Sequence, residues 1–178
     1  LYTNAVMLGK KSNLARDLLS PECSMVFVRA SINAVTASVA KRFSGAHAED
    51  VDAQLRGLSL LFEARKDLFP TYEKAKCVVP SIQISVVVDE NNVDDLSSVC
   101  IAVSEIAKKL GGGMGKSDDF IVRPLTKHGV RCFSIHDHDD AVIQKILSIC
   151  GRKGSMHRLM VGSGLNTYLG FRLGEVDS

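Results

Sequence analysis

Two short stretches of this 178-residue chain carry residues whose types and spacing suit chemistry. Gly111-Gly112-Gly113-Met114-Gly115-Lys116-Ser117 is a glycine run closed by a lysine and a hydroxyl. Backbone amides in such a run cradle phosphate oxygens, and the lysine neutralises them, when the run leaves a strand and opens a helix. His136-Asp137-His138-Asp139-Asp140 is the second stretch. At the end of a strand, H-x-H-x-D brings two imidazoles and a carboxylate to one point, a ligand set for zinc. His136, His138 and Asp140 are thus candidate metal ligands, and residues 111–117 a candidate phosphate loop, for a small metal- or nucleotide-dependent enzyme.

Each stretch also has a plainer reading. From Gly112 on, the glycine run resembles the deviant phosphate loop of the ParA-like ATPases. Leu110 stands where a Walker A loop has its first glycine, and the periodicity puts a helix before the run and a strand after it. That order is the reverse of the required geometry. The histidine cluster resembles the first metal motif of the metallo-β-lactamase-like hydrolases. Those enzymes continue with a further histidine where this chain has Ala141, and only His157 remains downstream. The alternative is that Asp137 or Asp139 caps a helix whose positive end the other acids oppose. No G-x-S-x-G elbow occurs. No residue is assigned a catalytic role and no cofactor is expected.

Phosphate contact without catalysis is the leading expectation. Lys116, Arg123, Lys127, Arg131, Arg152, Lys153 and Arg158 fall at the ends of elements in the second half, placed to neutralise a polyanion along one edge. Aromatic support is thin, because the chain has no Trp, and Phe120 and Phe133 do not make the aromatic-rich strand on which RNA-recognition sheets stack bases. The expected function is a non-catalytic subunit of a larger assembly, a ribonucleoprotein, contacting RNA phosphates and neighbouring proteins. The small enzyme is the alternative, and a purely structural protein–protein subunit a further one.

The elements that must position these residues are best specified over residues 81–111. Ile82, Ile84, Val86 and Val88 alternate with Gln83 and Ser85, and the unbroken Val86-Val87-Val88 predicts a central strand covered on both faces. Asn91 and Asn92 offer an N-cap, and Val93, Leu96, Cys100, Val103, Ala107 and Leu110 lay one apolar stripe along the helix that follows. Upstream, residues 2–9 fit an edge strand or the start of a helix, and residues 23–30 a strand. Residues 32–43 fit a helix capped by Ser31, and residues 49–69 a longer helix ended by Pro70. Downstream, strands are predicted over 120–125 and 130–136, a helix over 137–150, and strands over 156–161 and 168–173.

The fold class is therefore α/β, bordering on α+β, with a single mixed sheet of 4–6 strands and helices packed on it. From residue 81 the element order β-α-β-β-α-β is ferredoxin-like. In element order alone, residues 23–150 also resemble the second type of peptidyl-tRNA hydrolase. That family's first-helix signature is replaced here by Ser38-Val39-Ala40-Lys41-Arg42, so no catalytic residue carries over.

Composition bounds the rest. Charged residues make up 24% and hydrophobic residues 46%, which excludes disorder and collagen-like repeats. No apolar run reaches the roughly 20 residues a membrane span needs, so no membrane insertion is expected. One domain over residues 1–178 is expected, with a sub-division into an N-terminal helical extension with one strand (1–76) and an α/β core (77–178). The five cysteines include no C-x-x-C pair and read as free thiols in a reducing intracellular compartment, cytoplasm or mitochondrial matrix. Net charge is only +2, with cations in excess before residue 47 and acids in excess from 47 to 110.

Overall fold

The computed structural model of the chain describes residues 1–70, 79–111, 118–125, 140–151, 157–161 and 167–171. In chain order these form β1 (Tyr2–Thr3), α1 (Val6–Lys10), α2 (Leu14–Leu19), β2 (Phe27–Ser31), α3 (Ala37–Ser44), α4 (Ala48–Leu68), β3 (Ser81–Val88), α5 (Leu96–Gly111), β4 (Asp119–Pro124), α6 (Asp140–Gly151), β5 (His157–Val161) and β6 (Thr167–Phe171). The strands make one mixed sheet in the order β1-β2-β3-β4-β6-β5. The first four are parallel, and β6 runs antiparallel to both β4 and β5. This is an α/β fold, as the alternating and helical periodicities predict.

Parallel strands laid down in chain order have a consequence for the layers. Each right-handed crossover steps the same way across the sheet, so successive helices fall on the same face. Val28, Ala30, Ile82, Ile84, Val86, Val88, Phe120 and Val122 point to that face. They share one buried core with Leu8 of α1, Leu19 of α2, Leu58, Leu61 and Phe62 of α4, Leu96, Val99 and Val103 of α5, and Ile143 and Ile146 of α6. Helix α4 crosses α1 at backbone contact. A Cβ added at Gly9 would meet the Ala53 carbonyl, and one added at Gly57 would meet the Ala5 carbonyl.

The sheet departs from expectation at several points. Residues 1–70 supply β1 as well as β2, so residues 2–9 hold both an edge strand and a helix. Helix α3 begins at Ala37 rather than residue 32 because the intervening backbone is engaged elsewhere. The Ile32 amide continues the ladder to the Ser85 carbonyl at 3.0 Å, and the amides of Val35 and Thr36 donate to Asp95. Asn92 does not cap α5. Its side chain accepts from the Asp89 amide and donates to the carbonyls of Asn33 and Val87, and a 3-10 turn over Val93–Asp95 leads into the helix instead.

Strand β3 is central, between β2 and β4, but Val87 is only partly buried and faces the side on which no described helix packs. Strands β3 and β4 pair directly, whereas a split βαβ unit holds a strand between them. The strand expected over 130–136 lies outside the described residues. Among the described residues, no helix is long and apolar enough to cross a membrane.

Candidate nucleic-acid interface

The side chains that alternate with the core residues line the opposite face of the sheet, and they mix polar and apolar types. Phe27, Arg29 and Ser31 of β2, Gln83 and Val87 of β3, and Asp119, Ile121 and Arg123 of β4 are all partly exposed. Backbone register sets Tyr2, Arg29, Gln83 and Asp119 side by side across four strands. A second row joins Ser31, Ser85 and Ile121 and runs on through Gly170 to Arg158.

Arg29 is the centre of the first row. Its Nε and Nη2 both donate to Gln83 Oε1, at 2.9 and 2.7 Å, and its Nη1 donates to the Tyr2 hydroxyl at 3.3 Å. The guanidinium carbon lies 4.9 Å from the centre of the Tyr2 ring and 5.8 Å from that of Phe27, within cation–π range of both. The two rings meet edge to face at 5.9 Å. Gln83 is oriented in turn by its amide, which reaches Asp119 Oδ2 at 3.4 Å. One strand over, Arg123 Nη2 donates to Ser85 Oγ at 2.6 Å. Arg29 is thus a cation held in a fixed pose by neutral acceptors, with no ion pair among the described residues. A cation so placed attracts an anion, and the exposed ring beside it offers a flat apolar surface.

A second concavity sits at the carboxyl ends of β1 and β2, where ligands of parallel α/β sheets commonly bind. It is an open cleft of about 420 Å³ whose lining includes Asn4, Ser31, Asn33, Phe43, Asp50 and Gln54. Its polar groups are largely committed to the fold. Gln54 Nε2 donates to the carbonyls of Asn4 and Ser31, each at 2.8 Å, and Asn33 Oδ1 accepts from the Val87 amide at 2.9 Å. On its rim Lys10 Nζ donates to Asp50 Oδ1 at 2.9 Å. That hydrogen bond, with the attraction of the ammonium, holds the Asp50 carboxyl below the usual carboxylate range and Lys10 above the usual amine range.

Of the seven cations expected to meet phosphate, Arg123 stands on the face where no described helix packs, and the backbone of Arg158 falls in its second row. Lys116, Lys127, Arg131, Arg152 and Lys153 lie outside the described residues. So do His136 and His138, while Asp140 is the first residue of α6. Among the described residues, no group of three or more His, Cys, Asp and Glu side chains could hold a metal. The glycine run follows the end of α5 at Gly111, and the next described element is β4, so helix precedes glycines and glycines precede strand. Gln83 pairs with Asp119, which sets the start of β4 at the amino end of the parallel strands, away from the carboxyl-end cleft.

Tyr2, Phe27 and Arg29 were not among the residues singled out from sequence. Phe120, one of the aromatics considered for stacking, is 1% exposed and belongs to the core. Period-2 alternation in β2 holds the missing signal, since burying Val28 and Ala30 turns Phe27, Arg29 and Ser31 outward. No protein-family model, no curated protein and no solved structure matches the chain.

Proposed function

We propose that this chain is a non-catalytic subunit of a larger intracellular assembly, a ribonucleoprotein, that meets RNA on the sheet face where no described helix packs and meets other proteins elsewhere. The observation behind this reading is Arg29, held on Gln83 and Tyr2 with no ion pair among the described residues, on a face that also carries Arg123. Parallel strands such as β1 to β4 are usually covered on both faces by apolar helices. Here the second face carries Arg29 and Arg123 among Ser31, Gln83 and Asp119, which suits a polyanion better than another apolar layer. The free thiol of Cys23 suits a reducing compartment.

An electrophoretic shift with mixed RNA at 50 and 200 mM salt tests the reading. If two phosphates of a single strand are neutralised, affinity falls about sevenfold over that interval. Absence of salt-sensitive binding removes RNA from the proposal and leaves a subunit that packs through protein surfaces. Elemental analysis, with thermal shift against ATP and divalent metals, tests the enzymatic alternative. A stoichiometric metal lost on His136→Ala and His138→Ala would put that alternative first.

A further inference from the structure

We infer that the occupant of the face on which no described helix packs is single-stranded RNA, lying obliquely from β1 to β4, with a base stacked on Tyr2 and backbone phosphates at Arg29 and Arg123. This assignment rests on the RNA reading above and narrows it to one kind of RNA and one path.

The first support is the aromatic ring at the edge of the sheet. Tyr2 is 65% exposed although its hydroxyl and one ring face are engaged by Arg29. Its ring is held by the Phe27 edge and the guanidinium, so stacking costs little conformational freedom. Every base has a π face, so such a ring accepts single strands without regard to sequence, whereas a duplex keeps its bases stacked on each other.

The second support is the placement of charge. Arg29 is partly buried and makes its hydrogen bonds to neutral oxygens, which fix its direction without cancelling its charge. Arg123 stands two strands away and four residues further along the register from Asp119, the residue in line with Arg29. From strand spacing and rise, the two are about 16 Å apart on the same face. The line between them crosses β3 at Ser85, whose buried hydroxyl accepts from Arg123, and passes beside the partly exposed Ser31. Asp119, the acid on this face, lies off that line, on the side of the strands' amino ends.

The test uses the full 178-residue chain, a fluorescein-labelled U12 RNA and a labelled 12-base-pair RNA duplex, read by fluorescence anisotropy. U12 is expected to bind more tightly than the duplex. Tyr2→Ala is expected to weaken U12 about five- to tenfold with little effect on the duplex, and Tyr2→Phe to retain most of the affinity because the ring remains. Arg29→Gln is expected to lower the salt slope for U12 by about 0.7. Far-UV circular dichroism and the melting temperature of each variant establish that the fold is kept, and Tyr2, exposed on an edge strand, is a safe site to alter. If the wild-type chain binds neither probe, the RNA reading itself falls and the face passes to a protein partner. If it binds RNA while Tyr2→Ala and Arg29→Gln match the wild type, the RNA reading stands and this site assignment is overturned. Equal affinity for duplex and U12 overturns the single-strand assignment.

Discussion

Arg65 and Asp118 form a buried, two-pronged ion pair, Nη1 to Oδ1 at 2.5 Å and Nη2 to Oδ2 at 2.8 Å, with side chains 4% and 0% exposed. Asp118 Oδ1 also accepts from the Ile82 amide at 2.7 Å. One carboxylate thereby ties the last turns of α4 to the first residues of β3 and β4. The Arg65 guanidinium carbon also lies 5.2 Å from the centre of the Phe62 ring, which directs it inward.

Removing one partner leaves the other charge buried. Asp118→Ala is expected to cost about 3–5 kcal/mol, and Arg65→Met a comparable amount. The double variant Arg65→Met/Asp118→Leu is expected to lose less than the sum, because no charge is left without its partner. Urea denaturation of the four proteins checks the cycle.

Asp95 works as a cap supplied from another element. Buried to 4% exposure, it accepts from the amides of Val35 and Thr36 at 2.7 and 2.9 Å and from the Thr36 hydroxyl at 2.6 Å. Asp95→Ala is expected to destabilise by about 2–4 kcal/mol, since it strands two amide donors. Thr36→Val removes one hydroxyl bond and is expected to cost only about 1 kcal/mol. Amide exchange at Val35 and Thr36 should quicken in the first variant and change little in the second.

At Gly57 two effects of opposite sign compete. In an exposed helix, Gly→Ala stabilises by about 1 kcal/mol through propensity. Here the added methyl meets the Ala5 carbonyl at the crossing of α1 and α4, so overpacking wins and Gly57→Ala is expected to destabilise by about 1–3 kcal/mol. A lower thermal midpoint checks the sign. A rise would show that the two helices separate at little cost.

Asp50 and Asp94, with Glu22, whose carboxyl a hydrogen bond with Ser20 also lowers, contribute to the acid-side pH dependence. Hydrogen bonds from Lys10 and Lys145, respectively, hold the Asp50 and Asp94 carboxyls below the usual range. A lowered folded pKa gives stability that is present above the unfolded value, about 3.9, and is lost as pH falls through the folded one. For Lys10 the raised folded pKa means its share is present below the unfolded value, about 10.4, and lost as pH rises through the folded one. The pairs are solvent-exposed and salt-screened, so the effect is small. Thermal melts of wild type and Asp50→Asn should differ slightly at pH 7 and converge near pH 3.

Much of the layer plan was legible along the chain. Alternation at Ile82, Ile84, Val86 and Val88 and the three-four spacing from Leu96 to Leu110 are local patterns, and local sterics turn them into β3 and α5 with no reference to distant residues. The helix-glycine-strand order around Gly111 is local in the same sense. Sheet order, the second face on which no described helix packs and the extended start before α3 depend on partners far along the chain. Ile32 and Val35 have helical spacing, yet the amides of Ile32, Val35 and Thr36 bond to Ser85 and Asp95, more than 50 residues away. Arg29 reads as one cation inside a strand until register sets it beside Gln83, 54 residues on, and beneath the ring of Tyr2. Residue types specify which side chains can carry charge or stack. Pairing between remote strands selects which of them share a face, because a one-residue slip in register would turn each of them into the core.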